Sequence, residues 1–173
     1  MISFVVQLIK CVLGVAPMKP YASSSGDAII LRSGQPQVFD FFLGYGFPRG
    51  RKAGTVRAPE RIMGSNGNTV IRGFLRGLFS TDGCFSYQVE RGARVEIQVK
   101  SVQLRDDFVN LADRLGFSFR TYSYLPPNGK NKAPLQVAYT TKAAQVVRWM
   151  EEVGSIKDSH IKRYRVWKEL IEG

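Results

Sequence analysis

The sequence predicts an α+β fold: an αββαββα core built on an antiparallel sheet, preceded by an N-terminal α/β extension. Three observations predict it. Val70, Phe74, Leu75 and Leu78 recur at the spacing of one helix face. From Cys84 onward the period drops to two. Phe85, Tyr87 and Val89 alternate with Ser86, Gln88 and Glu90, and Val95, Ile97 and Val99 alternate with Arg94, Glu96, Gln98 and Lys100. Another helical stretch, two more strand-like stretches and two closing helices follow. With 173 residues, 44% hydrophobic and 12% aromatic, the chain has enough apolar material for one good core. That core is assigned to residues 66–173, and residues 1–65 to an extension with a basic loop, expected to pack on it.

Taken in order, ISFVVQLIKCVLGVAP at the N-terminus reads as an amphipathic helix rather than a signal peptide. It lacks a basic leading region, and Gln7 and Lys10 interrupt the apolar run. A Ser/Gly-rich turn at Ser23–Gly26, a short strand at Ala28–Leu31 and a helix at Pro36–Leu43 come next. The loop GFPRGRKAGTVRAP carries Arg49, Arg51, Lys52 and Arg57 among glycines and prolines, which exposes its cations. It suits a solvated linker and a phosphate-contacting arm equally. Asn68 is placed to cap the next helix and Gly83 to stop it. The first hairpin turns at Arg91-Gly92. The helix Leu104–Leu115 turns Phe108, Leu111, Ala112 and Leu115 inward. Strands at Phe117–Tyr124 and Leu135–Thr141 are joined by Pro126-Pro127-Asn128-Gly129, and helices at Ala143–Val153 and Ser159–Glu172 close the chain.

Charge narrows the function classes. Lys plus Arg number 25 against 14 Asp plus Glu, giving +11 and a pI near 10.0, which calls for a polyanionic partner. Nucleic acid is favoured and no membrane partner is expected, since the cations are spread along the chain and no apolar run reaches the roughly 18 residues of a spanning helix. Cys11 and Cys84 have neither metal-ligand spacing nor the look of a disulfide framework. An intracellular setting is expected, cytoplasmic in a prokaryote, with an organelle as the other option.

The stretch LRGLFSTDG, Leu75–Gly83, is the one built for chemistry. Asp82 ends the helix and faces the negative end of its macrodipole, which costs roughly 0.3–1 kcal/mol unless a cation neutralises it. Gly73, Gly77 and Thr81 fall four apart and form a smooth stripe, although each glycine inside a helix costs about 1 kcal/mol relative to Ala. Two such helices can touch side by side and bring two copies of Asp82 together. Gly73, Gly77 and Thr81 are therefore the expected dimer interface. A buried packing stripe with an incidental acid is the plainer alternative.

The longer run GFLRGLFSTDGCFS, Gly73–Ser86, resembles the LAGLIDADG motif of homing endonucleases, in the version common among archaeal and intein-associated members. Leu75, Gly77, Leu78, Asp82 and Gly83 agree with it. Arg76 stands for the first Ala, Phe79 is a conservative swap, Ser80 replaces the first Asp and Thr81 the second Ala. VFDFFLGYG, Val38–Gly46, has its acid in the wrong place, so one motif is present.

The resemblance implies a LAGLIDADG homing-endonuclease fold and a homodimer on a long pseudo-palindromic duplex. It also implies an intron or intein host and a double-strand cut leaving 3′ overhangs. It places the metal at Asp82 with Gly83. Mg²⁺ is expected there, with Ca²⁺ or Mn²⁺ as substitutes, because zinc would want Cys or His clusters. No organic small-molecule cofactor is expected. Relatives add a basic residue near the start of the last helix, for which Lys157, His160 and Lys162 are candidates, and a polar one on the second strand, for which Gln98 or Ser101 is. His160, the only histidine, reads more readily as a surface residue than as a general base.

An antiparallel ribbon fits the major groove of B-DNA, where each base pair shows its own donor and acceptor pattern. Arg94 and Lys100 are expected to read guanine, Gln88 and Gln98 adenine, Glu90 and Glu96 cytosine, and Ser86 either, with Arg91 beside them. An ordinary solvent face is the alternative. Arg120, Tyr122, Gln136, Ala138 and Thr140 make a second row whose parity is ambiguous, and Lys130 and Lys132 suit phosphate contacts. Two rival functions remain: an intron RNA maturase on the same scaffold, and a non-catalytic DNA-binding regulator.

Overall fold

A computed structural model describes residues 7, 10–14, 19–22, 29–32, 34–46, 54–126 and 133–173. The chain divides into two compact units, Met1–Arg49 and Gly50–Gly173. In the first, residues 10–13 are helical. Strands β1 (Lys19–Ala22) and β2 (Ile29–Arg32) pair antiparallel with Lys19 opposite Arg32, and helix α1 (Pro36–Gly44) starts on a proline whose missing N–H costs nothing there. β1 has no alternation and contains Pro20, so nothing in its sequence announces a strand.

The second unit holds α2 (Glu60–Met63), α3 (Asn68–Asp82), β3 (Gly83–Gln88), β4 (Gly92–Val99), α4 (Val102–Arg114), β5 (Arg120–Tyr124), β6 (Leu135–Thr140), α5 (Ala143–Glu152) and α6 (Asp158–Glu172). Its four strands form one antiparallel sheet in the order β3-β4-β6-β5. The fold is mixed α+β, with the strand and helix order expected of the αββαββα core.

Ile71, Leu75 and Phe79 bury one face of α3 against Phe85, Val95 and Ile97 of the sheet. Trp149 of α5 is the hub. Its ring lies 5.0 Å from Phe119, 5.2 Å from Phe117, 5.5 Å from Phe108 and 5.8 Å from Phe79. Each such aromatic pair adds about 0.5–1.5 kcal/mol beyond area burial.

Several boundaries differ from the sequence reading. The core unit begins near Gly50 rather than at 66, because Ala58 is fully buried and its N–H donates to the buried Asp107 carboxylate at 2.8 Å. Gly67, not Asn68, caps α3. β5 starts at Arg120 instead of Phe117, since Phe117 and Phe119 leave the sheet to pack around Trp149. The first hairpin turns over Val89–Arg91 with Gly92 at φ 77°, a wider loop than Arg91-Gly92, and it throws Val89 into solvent at 80% exposure. Ser101 is a cap rather than a catalytic candidate. It is fully buried, accepts from Leu104 N–H at 3.2 Å and donates to the Val56 carbonyl.

Candidate acidic helix tip and nucleic-acid interface

The buried side of α3 leaves Gly73, Gly77, Thr81 and Asp82 exposed together on the other side, with Val70 48% exposed at the same surface. A methyl group added at Gly73 or Gly77 would meet nothing within 4 Å. Nothing among the described residues requires either glycine. Gly83 is the opposite case. A Cβ there would stand 2.3 Å from the Phe79 carbonyl oxygen and ring, so only glycine lets the helix run straight into β3.

Asp82 accepts a hydrogen bond from the Thr81 hydroxyl at 2.8 Å. That hydroxyl also lies 3.1 Å from the Leu78 carbonyl and 3.3 Å from that of Gly77, and one proton cannot serve all three acceptors at once. No basic residue occupies the last turn of α3. Among the described residues no group of three or more His, Cys, Asp or Glu comes together. Among the described residues, α3 therefore ends in a solvated carboxylate with no cation and no second acid beside it.

Behind the tip, two of the three polar departures from the motif do structural work. Arg76 Nε donates to the Val153 carbonyl at 2.5 Å. Ser80, 1% exposed, donates to the Arg76 carbonyl at 2.6 Å and accepts from Ile156 N–H at 3.0 Å. Ser155 Oγ lies 3.2 Å from Ser80 Oγ and 3.0 Å from His160 Nδ1. His160 is thus not the expected surface residue. It is 1% exposed, its ring is 4.9 Å from that of Phe79, and its pKa is lowered to about 4 by burial and by the charges of Lys157 and Arg163, against a hydrogen bond to the Gly83 backbone. A neutral buried imidazole so placed is a poor candidate for contact with a phosphate. Lys157 occupies the N-cap of α6, and Lys162 is exposed one turn further on.

The sheet face away from the helices carries Cys84, Ser86 and Gln88 from β3, and Arg94, Glu96 and Gln98 from β4, as the alternation predicts. Arg94 pairs with Glu96 at 2.5 Å, donates to the Tyr122 hydroxyl at 2.9 Å and stacks 4.2 Å above the Tyr139 ring. Gln98 donates to Glu96 at 2.9 Å and accepts from the Tyr124 hydroxyl at 3.0 Å. These side chains hold one another in place, which preorganises their remaining donors and acceptors. Ser86, Gln88, Arg91 and Arg94 line one recess of about 380 Å³ with Thr141. Glu90 and Arg91 lie on the hairpin loop and Lys100 just past β4.

The second row is corrected. Register pairs Gln136 with Val99, Ala138 with Ile97 and Thr140 with Val95, so all three turn to the helix side and are buried. Gln136 accepts there from Arg105 at 2.8 Å and Ser123 at 2.6 Å. Leu135, Val137 and Tyr139 take the outer positions, in line with Tyr124, Tyr122 and Arg120 of β5. Lys130 and Lys132, with Arg49, Arg51 and Lys52, lie outside the described residues.

Sequence reasoning missed Ser155 and the tyrosines at 124 and 139. No short-range signal joins Ser80 to a residue 75 positions away. Among the described residues no helix is long and apolar enough to cross a membrane. The family model described as a LAGLIDADG-like domain matches residues 69–154, from the first turn of α3 to the end of α5. A search of curated proteins finds no match to the chain.

Proposed function

We propose, from the premise that this chain belongs to the LAGLIDADG family of homing endonucleases and maturases, that it is a site-specific DNA endonuclease acting as a homodimer. One observation carries the reading. Asp82 is solvated at the end of a helix on whose exposed glycines an added Cβ would meet nothing among the described residues within 4 Å. Such glycines cost helix stability without return in a monomer, whereas a second copy of α3 packed along Gly73, Gly77 and Thr81 offsets that cost by close contact. The same contact places two Asp82 carboxylates at one seam, on the axis of a symmetric dimer.

A divalent cation held by those carboxylates with Gly83, Mg²⁺ first and Ca²⁺ or Mn²⁺ as substitutes, would supply positive charge to the phosphodiester and acidify a water nucleophile. The protein does the rest. Arg94, Glu96, Gln98, Ser86 and Gln88 read base edges from the preorganised face. Lys100 and Arg120 at its margins contact phosphates, and Lys157 and Lys162 add charge near the tip. The product is a staggered double-strand break with 3′ overhangs, and an intron or intein is the host element.

The test is an Asp82→Asn protein mixed with Mg²⁺ and a plasmid library of randomised duplex inserts. Binding should persist while cutting disappears, and retained cutting would sink the assignment. Gly77→Leu should halve the mass seen in solution by light scattering; an unchanged mass removes the seam. A maturase reading is favoured by one feature, the cluster of Tyr122, Tyr124 and Tyr139, on which unpaired RNA bases stack well. RNA affinity that survives Asp82→Asn, from a wild-type protein that cuts no DNA, would select it.

A further inference from the structure

Two of the three polar substitutions within the motif, Arg76 and Ser80, reach the same short segment, residues 153–156, between α5 and α6. That segment leads directly into Lys157. Counting protons fixes the role of Ser80. The Ser80 hydroxyl is used on the Arg76 carbonyl, so its only remaining role is to accept. Ser155 Oγ accepts from Lys157 N–H at 3.1 Å, and its one proton faces two acceptors, Ser80 Oγ at 3.2 Å and His160 Nδ1 at 3.0 Å. The contacts therefore run from the Lys157 amide through Ser155 to His160 by hydrogen bonds, and from the His160 ring by packing on Phe79 to Gly83, the residue after the acid. Packing of the His160 ring on Phe79, whose backbone leaves no room for a side chain at Gly83, keeps the far end from shifting.

We infer that Ser155 is a positioning residue: it couples the start of α6, with Lys157, to the Asp82–Gly83 tip of α3, so that base and acid keep one geometry. This rests on the endonuclease reading for its catalytic consequence, but the coupling itself does not. Nothing in stability alone demands it, since Ser155 is only partly buried.

The experiment uses the full-length wild type, Ser155→Ala and Ser155→Thr. A duplex recovered from the randomised library serves for single-turnover cleavage in Mg²⁺. Ser155→Ala should slow cleavage by roughly 10–100-fold, the usual loss when a group orienting an active-site residue is removed. Duplex affinity should stay within about 2-fold, and Ser155→Thr, which keeps the hydroxyl, should restore most of the rate. A Ser155→Ala protein that cuts at the wild-type rate, or loses affinity and rate in equal measure, overturns the inference.

A wild type that cuts nothing overturns the endonuclease reading instead. Amide hydrogen exchange then decides the coupling. Ser155→Ala should lose protection at Lys157 and at Gly83 together, and unchanged exchange at Gly83 overturns it.

Discussion

The two faces of the four-stranded sheet both meet polar side chains and leave them in opposite surroundings. On the helix side, Gln136, with Asp107, Ser80 and His160 behind it, is buried and held by fixed partners. On the open side, Arg94, Glu96 and Gln98 hold one another and the tyrosines, yet keep donors and acceptors facing water. The difference teaches that polarity alone does not mark a binding face. A polar group belongs to the fold when its partners are all internal, and to recognition when some of its capacity is left for a ligand.

The comparison can be broken first at His160, where the largest effect is expected. Its folded pKa of about 4 lies below the 6.5 of an unperturbed imidazole. Above that value the ring is neutral in folded and unfolded chains alike, and the stability is fully present. As pH falls from 6.5 to 4 the unfolded chain takes up a proton that the folded one refuses, so stability declines by up to about 3 kcal/mol and then levels off. Urea unfolding at steps between pH 7 and 4, with the imidazole proton resonance followed alongside, checks this. A ring titrating near 6.5 would move His160 to the exposed class.

Gln136→Ala comes next. Arg105 and Ser123 would lose their acceptor, and a loss of about 1–3 kcal/mol is expected in denaturant unfolding, with little change in duplex affinity. Gln98→Ala should show the reverse, with stability nearly intact and sequence discrimination weakened by about 1–3 kcal/mol. If the two variants behave alike, the division between faces fails. The smallest effect sharpens the open side. A double-mutant cycle on Arg94 and Tyr139 should give a coupling of about 0.5–1 kcal/mol for a guanidinium over a partly exposed ring, and none if the stacking contributes nothing.

Much of this was legible in the chain. Helix α3 could be read because apolar residues recur at helical spacing through it, although the face read from Val70, Phe74, Leu75 and Leu78 is turned from the buried one of Ile71, Leu75 and Phe79 and leaves Val70 in solvent; β4 could be read because its alternation is unbroken from Ala93 to Val99. The second hairpin misled for a physical reason. Val137 and Tyr139 are apolar or aromatic yet face outward, while Gln136 and Thr140 are polar yet face the helices, so hydrophobicity carries no parity there. His160 was misplaced because one histidine in a basic helix resembles a surface residue until the rings of its neighbours are in place.

The amino-acid order by itself determined the motif helix, its solitary acid, the glycines on its exposed side and the basic balance of the chain. These are properties of residues a few positions apart or of the whole composition, and local backbone geometry converts them directly into faces and ends. Only the folded chain decided which strand face is open, which polar groups are satisfied inside, and that Ser80 meets Ser155. Those outcomes depend on strand register and on contacts between segments dozens of residues apart, where a shift of one position reverses every side chain.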